Sequence, residues 1–182
     1  MTSRTSSLAS IDSAVEALER EVPDARGGLP DSVFYLVSRL TPLINVDLLV
    51  VNERHQKLLT WRHDRLYGPG WHVPGGIIRF KESWETRIQA VAHQELGAHV
   101  GFLREPVSVF PLINPQRDVR GHFISLVFQC WLETDLPAVR QASSNEAGQP
   151  GQWQWFDQVP ANMIAQQMKF KSLINHQKYT RI

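Results

Sequence analysis

The Glu95 carboxylate and the glycine pair Gly75-Gly76 form a pattern suited to holding a cation against phosphate. Adjacent glycines let the backbone turn sharply and leave its carbonyl and N–H groups uncovered by side chains. A carboxylate held beside such a turn brings together the oxygen donors that suit Mg²⁺, which keeps waters and phosphate oxygens as its other ligands. Arg62 and Arg65 precede the turn, and a guanidinium presents a rigid fork of donors suited to diphosphate oxygens. The plainer account of both arginines is a solvated loop charge. Asp47 sits among apolar residues in a strand-like run, where a lone carboxylate is costly unless paired. Arg62 on the next strand is a candidate partner, and a structural ion pair and a ligand-orienting pair are both compatible with that spacing.

These groups need a turn and a rigid helix to meet. Pro74 cannot donate to a ladder and closes the strand His72-Val73. Ser83 is placed to cap a helix, with Glu85 in its first turn favouring the positive helix end. Ile88, Ala92 and Leu96 recur every fourth residue and give one apolar face, and Gly97 fits the stop. Val91, Gln94 and Glu95 are neighbours on another face.

The other elements are read in chain order. Met1–Ser7 is expected to be disordered, Asp12–Val22 helical, residues 23–30 a break, and Asp31 or Ser32 the cap of a helix through Leu40. Val46–Asn52 and Lys57–Arg62 read as strands joined by a polar turn at Glu53–Gln56, where His55 is a surface residue, and Arg62–Gly70 reads as a loop. Gly101–Pro111 and Phe123–Glu133 are strand candidates joined by the polar loop Asn114–His122. Arg117, Arg120 and His122 could meet phosphate or sugar there, although an exposed hairpin end accounts for each alone. Asp135–Gly151 is a long irregular loop, and Gln152–Phe156 is a strand with Trp153 and Trp155 on one face, at least one of them core. Asp157–Lys171 reads as a terminal helix, with Lys169, Lys171 and Lys178 as tail charges.

Bulk properties narrow the class. The chain has 182 residues and a formal net charge of +1, so bulk attraction gives no reason to expect a nucleic-acid or membrane partner. Its single cysteine, Cys130, lies in an apolar run and reads as a buried strand thiol. No apolar run is long enough to cross a membrane and no signal-like leader is present, so a cytoplasmic protein is the default expectation.

From Gly76 onward the sequence resembles the Nudix box: Gly, five residues, Glu, seven residues, Arg-Glu-apolar-x-Glu-Glu-x-Gly-apolar. Gly76, Glu82, Ala92, Glu95, Gly97 and Ala98 fall in register, whereas Ala90, Val91 and Gln94 replace an arginine and two glutamates. The thinned box is similar to that of the GDP-mannose mannosyl hydrolase branch, and the resemblance covers most of Phe34–Phe156. It implies an α/β/α sandwich with a mixed β-sheet flanked by helices, with residues 1–30 as an extension and 31–182 as the domain. It also implies a homodimer, a nucleoside diphosphate sugar such as GDP-mannose or GDP-glucose as substrate, and Mg²⁺ (or Mn²⁺) as the ion.

In that branch the Gly75 carbonyl, Glu95 and Gln149 would hold the metal. Arg62, with Asp47 and Arg65, would meet the substrate. The branch's histidine base is replaced by Pro150, which cannot take a proton, and Ile77 and Ala90 stand where arginines are expected. Glu146 and His122 are substitute bases in the sequence; unassisted attack by water is the third course. Cleavage at the sugar carbon, ordinary Nudix P–O cleavage, and a module that binds a nucleotide sugar or ADP-ribose-like ligand without turnover all follow as expectations.

Overall fold

The computed structural model describes residues 2–65, 67–144 and 147–176. Glu146 and Lys178, named above as base and tail charge, lie outside them. The helices α1 (Thr2–Glu21) and α2 (Asp31–Leu40) lead into strands β1 (Leu43–Val50), β2 (Lys57–Asp64), β3 (Gly68–His72) and β4 (Gly75–Ile77). Helix α3 (Trp84–Val91) follows. Then come β5 (Val100–Phe102), β6 (Ser108–Ile113), β7 (His122–Leu132), β8 (Trp153–Phe156) and a short α4 (Lys171–Asn175). No helix of the described residues is long and apolar enough to cross a membrane.

Two sheets form. One runs β4-β1-β7-β5, with β6 also on β7, and is mixed: β1 and β7 are parallel and the other pairs antiparallel. The second is antiparallel, in the order β3-β2-β8. Strand alternation sorts β1 between two cores. Val46, Leu48 and Val50 join Ile88, Ala92 and Leu96 of the central helix; Leu49 and Val51 join Trp61, Trp71 and Phe170. The mixed sheet, the helix face and the buried thiol therefore stand as the sequence suggests. Trp153 is core, with Trp155 packed against it.

Four expectations are corrected. Helix α1 begins at Thr2, where disorder was expected; elongating a helix costs less than starting one. The strand expected over Gly101–Pro111 is two, β5 and β6, separated at Pro106, which cannot donate to a ladder. Residues 68–70 belong to a strand, because β3 pairs along β2 from Asp64↔Gly68 to Thr60↔His72.

The terminal helix begins only with a 3-10 turn at Ala165–Phe170. The preceding segment instead satisfies the free edge of β3. Trp71 N–H donates to Asn162 O at 3.1 Å, and Ile164 N–H to Trp71 O at 2.9 Å. The Gln167 side chain accepts from Val73 N–H at 2.7 Å. An uncovered edge carries obligatory donors and acceptors, and meeting them outweighs the helical spacing of Met163, Ile164, Gln167 and Phe170.

Candidate functional site

The glycine turn is built as its sequence suggests, and it also pairs. β4 lies antiparallel on β1 with Gly75 opposite Asp47. A Cβ on Gly75 would stand 2.3 Å from Asp47 Oδ1, and one on Gly76 would stand 2.7 Å from Val91 Cγ2. Glycine is therefore required at both positions by close approach. Val91 fills the space beside Gly76 where the box pattern has a carboxylate.

Ser83 Oγ accepts from Thr86 N–H at 3.2 Å, so the helix is capped as expected. It does not continue as one α-helix to Gly97: Ala92–Leu96 is a π turn, closed by Gly97 at φ 67°. Such turns widen the helix and rotate the residues beyond them. Glu95 lies on this turn. Arg140, from the long loop, donates to the Glu95 backbone oxygen and, at 2.8 Å, to Gly151 O. The loop between β7 and β8 thus pins the end of the helix.

Two side chains of the antiparallel sheet and one backbone N–H of the mixed sheet meet the Glu95 carboxylate. Oε2 accepts from Thr60 Oγ1 at 3.1 Å and lies 3.2 Å from His72 Nε2, while Oε1 accepts from Gly75 N–H at a longer 3.3 Å. The other ring nitrogen of His72, Nδ1, donates to Thr60 O at 2.8 Å, which directs Nε2 at the carboxylate. Burial pushes the Glu95 carboxyl up, but bonds and charge from His72, with Gly75 N–H and Thr60, outweigh it and hold it below the ordinary value.

His72 and Thr60 were not singled out in the sequence. The available signal was a polar side chain inside an apolar strand run, Trp71-His72-Val73 and Leu59-Thr60-Trp61.

Asp47 is buried at 2 % exposure and accepts from Ser125 Oγ. It does not take Arg62 as its partner; Arg62 Nε pairs with Asp64 Oδ2 at 2.8 Å. Burial raises the Asp47 carboxyl to about 6, against bonds from Ser125 and Asn45 and the charge of His72. The folded state therefore binds this proton more tightly than the unfolded chain, whose carboxyl titrates near 3.8. The stabilising contribution is full below that value and is lost as pH rises through about 6. A shift of this size corresponds to about 3 kcal/mol. Asp47→Asn is expected to flatten the stability profile across pH 4–6, measured by urea midpoints. An unchanged slope in the variant would remove the assignment. Glu95, being lowered, acts with the opposite sign, its contribution fading as pH falls below the ordinary glutamate range.

A cavity of ≈ 480 Å³ has Asp47, His72, Gly75 and Arg62 in its wall. Arg117 and Arg120 line it too, whereas Glu95 does not line it and reaches it only through its bonds to His72 and Gly75. Arg65 and Gln149 are exposed and do not line it, and Gln149 N–H bonds the Gln152 side chain at 2.7 Å. His122, half-buried in β7, does not line it either. Lys169, read as a tail charge, does: it donates to Pro111 O at 2.8 Å.

No group of three or more His, Cys, Asp or Glu side chains among the described residues could hold a metal ion. Glu95 nevertheless fits one sparse arrangement. Its Oε2 is fixed by His72 and Thr60, the kind of outer bonding that ligating carboxylates receive, and Oε1 has only the long Gly75 bond. One carboxylate oxygen suits Mg²⁺ that completes its shell with phosphate oxygens and water, and does not make a closed protein cage.

No family model matches the chain. A curated relative, the low-salt glycan biosynthesis protein Agl8 of Haloferax volcanii, is 28% identical over 113 residues, covering 59% of this chain and 70% of the relative. A solved structure of a possible asymmetric diadenosine tetraphosphate hydrolase from Jonesia denitrificans superposes with a TM-score of 0.58 at 19% identity, covering 76% of this chain and 96% of that one. A MutT NUDIX hydrolase from Burkholderia pseudomallei gives 0.55 at 18% identity, covering 75% and 98%. At these identities what is shared is the fold.

Proposed function

We propose that this chain, which has the Nudix fold, hydrolyses a nucleoside diphosphate sugar, with GDP-mannose and GDP-glucose as the first substrates to test. The observation that carries the reading is the cavity, whose wall joins Asp47, His72 and Gly75, the last two bonded to Glu95, with Arg62. Its ≈ 480 Å³ falls in the range of small-molecule sites. The name of the Haloferax volcanii relative fits a sugar-linked substrate.

Glu95 Oε1, with the Gly75 carbonyl that the resemblance nominates, would hold Mg²⁺ or Mn²⁺, which when bound supplies positive charge to the leaving diphosphate; Gln149, the third nominated ligand, lies outside the cavity wall. Arg62 neutralises the same group, held in place by Asp64. His72 and Thr60 fix the Glu95 carboxylate. Asp47 takes the proton of the attacking water, because among the described residues it is the one carboxyl in the cavity wall and its pKa, at about 6, suits proton transfer near neutrality. The water oxygen bonds to the sugar carbon, the carbon–oxygen bond to the diphosphate breaks, and its electron pair leaves with the nucleoside diphosphate. The rate is then expected to rise with pH through about 6, as Asp47 loses its proton.

A second reading, a binding module without turnover, is favoured by the burial of Asp47 and by Pro150 in the family base position. Incubation with nucleoside diphosphate sugars and Mg²⁺ in ¹⁸O-water, read by mass spectrometry, separates the two. Label in the free sugar supports the proposal. Label in a phosphate replaces it with P–O cleavage. No product from folded protein that still binds the sugar nucleotide replaces it with the module. The homodimer implied by the resemblance belongs to the same reading, and sedimentation tests it.

A further inference from the structure

The polar loop between β6 and β7 brings its two arginines into the cavity wall. The loop is tightly closed: Asn114 N–H donates to Gly121 O at 2.7 Å and Arg117 N–H to Asn114 O at 3.2 Å. A Cβ on Gly121 would stand 2.4 Å from Arg117 O. Arg120 takes a positive φ of 53°, and its N–H is held by Ser38 Oγ of α2 at 3.0 Å. The Arg120 guanidinium also lies 5.6 Å from the Phe34 ring of α2. The helix before β1 thus braces this loop.

Three guanidinium groups converge on Tyr67. The distances to its ring centre are 4.5 Å for Arg117, 5.0 Å for Arg62 and 5.9 Å for Arg120. Arg62 has Asp64 as its counter-charge, and neither Arg117 nor Arg120 forms an ion pair among the described residues. Arg117 Nη1 and Arg120 Nε are moreover buried with no hydrogen-bond partner among those residues. Buried donors are ordinarily satisfied, so two unpaired charged donors in one cavity wall call for an acceptor that the described residues do not supply. Tyr67 supplies cation–π attraction, which offsets part of the crowding of like charge and leaves the N–H edges unused.

We propose that Arg117 and Arg120, with Arg62, form an anion subsite around Tyr67 that takes a phosphate or diphosphate group through these unpaired N–H donors. Guanidinium forks match phosphate oxygens two at a time. The subsite stands on the arginine geometry alone; placing the diphosphate of a nucleotide sugar there rests on the function proposed above.

The test is calorimetric titration with inorganic pyrophosphate in EDTA, which removes any divalent ion and needs no turnover. Wild-type protein is expected to bind, and the Kd is expected to rise at least about tenfold in Arg117→Gln/Arg120→Gln, the loss of two charge-assisted contacts. Each single variant is expected to show a smaller rise, which keeps the test open if the double variant does not fold. Exposed Arg104→Gln, outside the cavity wall, is expected to leave Kd within about twofold.

No binding by wild type at 10 mM, no change in folded arginine variants, or an equal loss in Arg104→Gln would each overturn the subsite. Absence of turnover with intact arginine-dependent pyrophosphate binding would sink only the hydrolase reading, and turnover without that binding only the subsite.

Discussion

Glu95→Gln is expected to lower turnover of a nucleoside diphosphate sugar on the order of 10²–10³-fold, the range for removing one preorganised electrostatic group. The amide keeps the shape of the carboxylate, but its single oxygen can accept from Thr60 Oγ1 or from Gly75 N–H and not from both. What it loses is the charge that Oε1 offers to a cation and that Oε2 offers to His72. Single-turnover rates measured against Mg²⁺ concentration check this. Near-normal turnover in the variant would remove Glu95 from the site. His72 also loses a charged partner, so the unfolding midpoint is measured beside the rate. Retained pyrophosphate binding through the arginines would show that the cavity survives, and that the loss belongs to the carboxylate.

The second large effect concerns stability. Glu82 matches a glutamate of the box pattern, yet its carboxylate is turned to Arg87. Arg87 Nε and Nη2 each donate to it at 2.7–2.8 Å, and Arg79 N–H donates at 2.8 Å. The side chains are only 14% and 8% exposed. Burial pushes the Glu82 carboxyl up, but these donors outweigh it and its pKa is lowered. The pair ties the loop after β4 to α3, so it fixes where the glycine turn meets the helix.

Glu82→Ala leaves a buried guanidinium uncompensated and is expected to cost about 3–5 kcal/mol in urea unfolding. Glu82→Leu/Arg87→Met removes both charges and is expected to lie within about 1 kcal/mol of wild type or above it. A loss below about 1 kcal/mol in the single variant would place the pair among solvated surface bridges instead.

Much of the scaffold was legible because it obeys local rules. The cap at Ser83, the apolar spacing of Ile88, Ala92 and Leu96, the glycine stop and the two strands before the turn are properties of short stretches, and each forms. The terminal segment departs from its helical spacing because β3 claims its backbone donors and acceptors. Asp47 was recognised as a carboxylate in need of a partner, yet the partner is Ser125 of β7, which only the parallel pairing of β1 and β7 brings alongside.

The glycine turn, the capped helix and one carboxylate near its end follow from local sequence, because turns, caps and apolar periodicity act over a few residues. What that carboxylate faces depends on the packed fold. A π turn sets the direction of Glu95, and sheet pairing places Thr60 opposite His72, so that both reach it. Loop closure and the bracing helix α2 bring Arg117 and Arg120 to Tyr67, in sequence far from either. Hydrogen bonds and charge act across space and not along the chain: strand pairing joins residues 60 and 72, and only the packing of the central helix brings Glu95 to them.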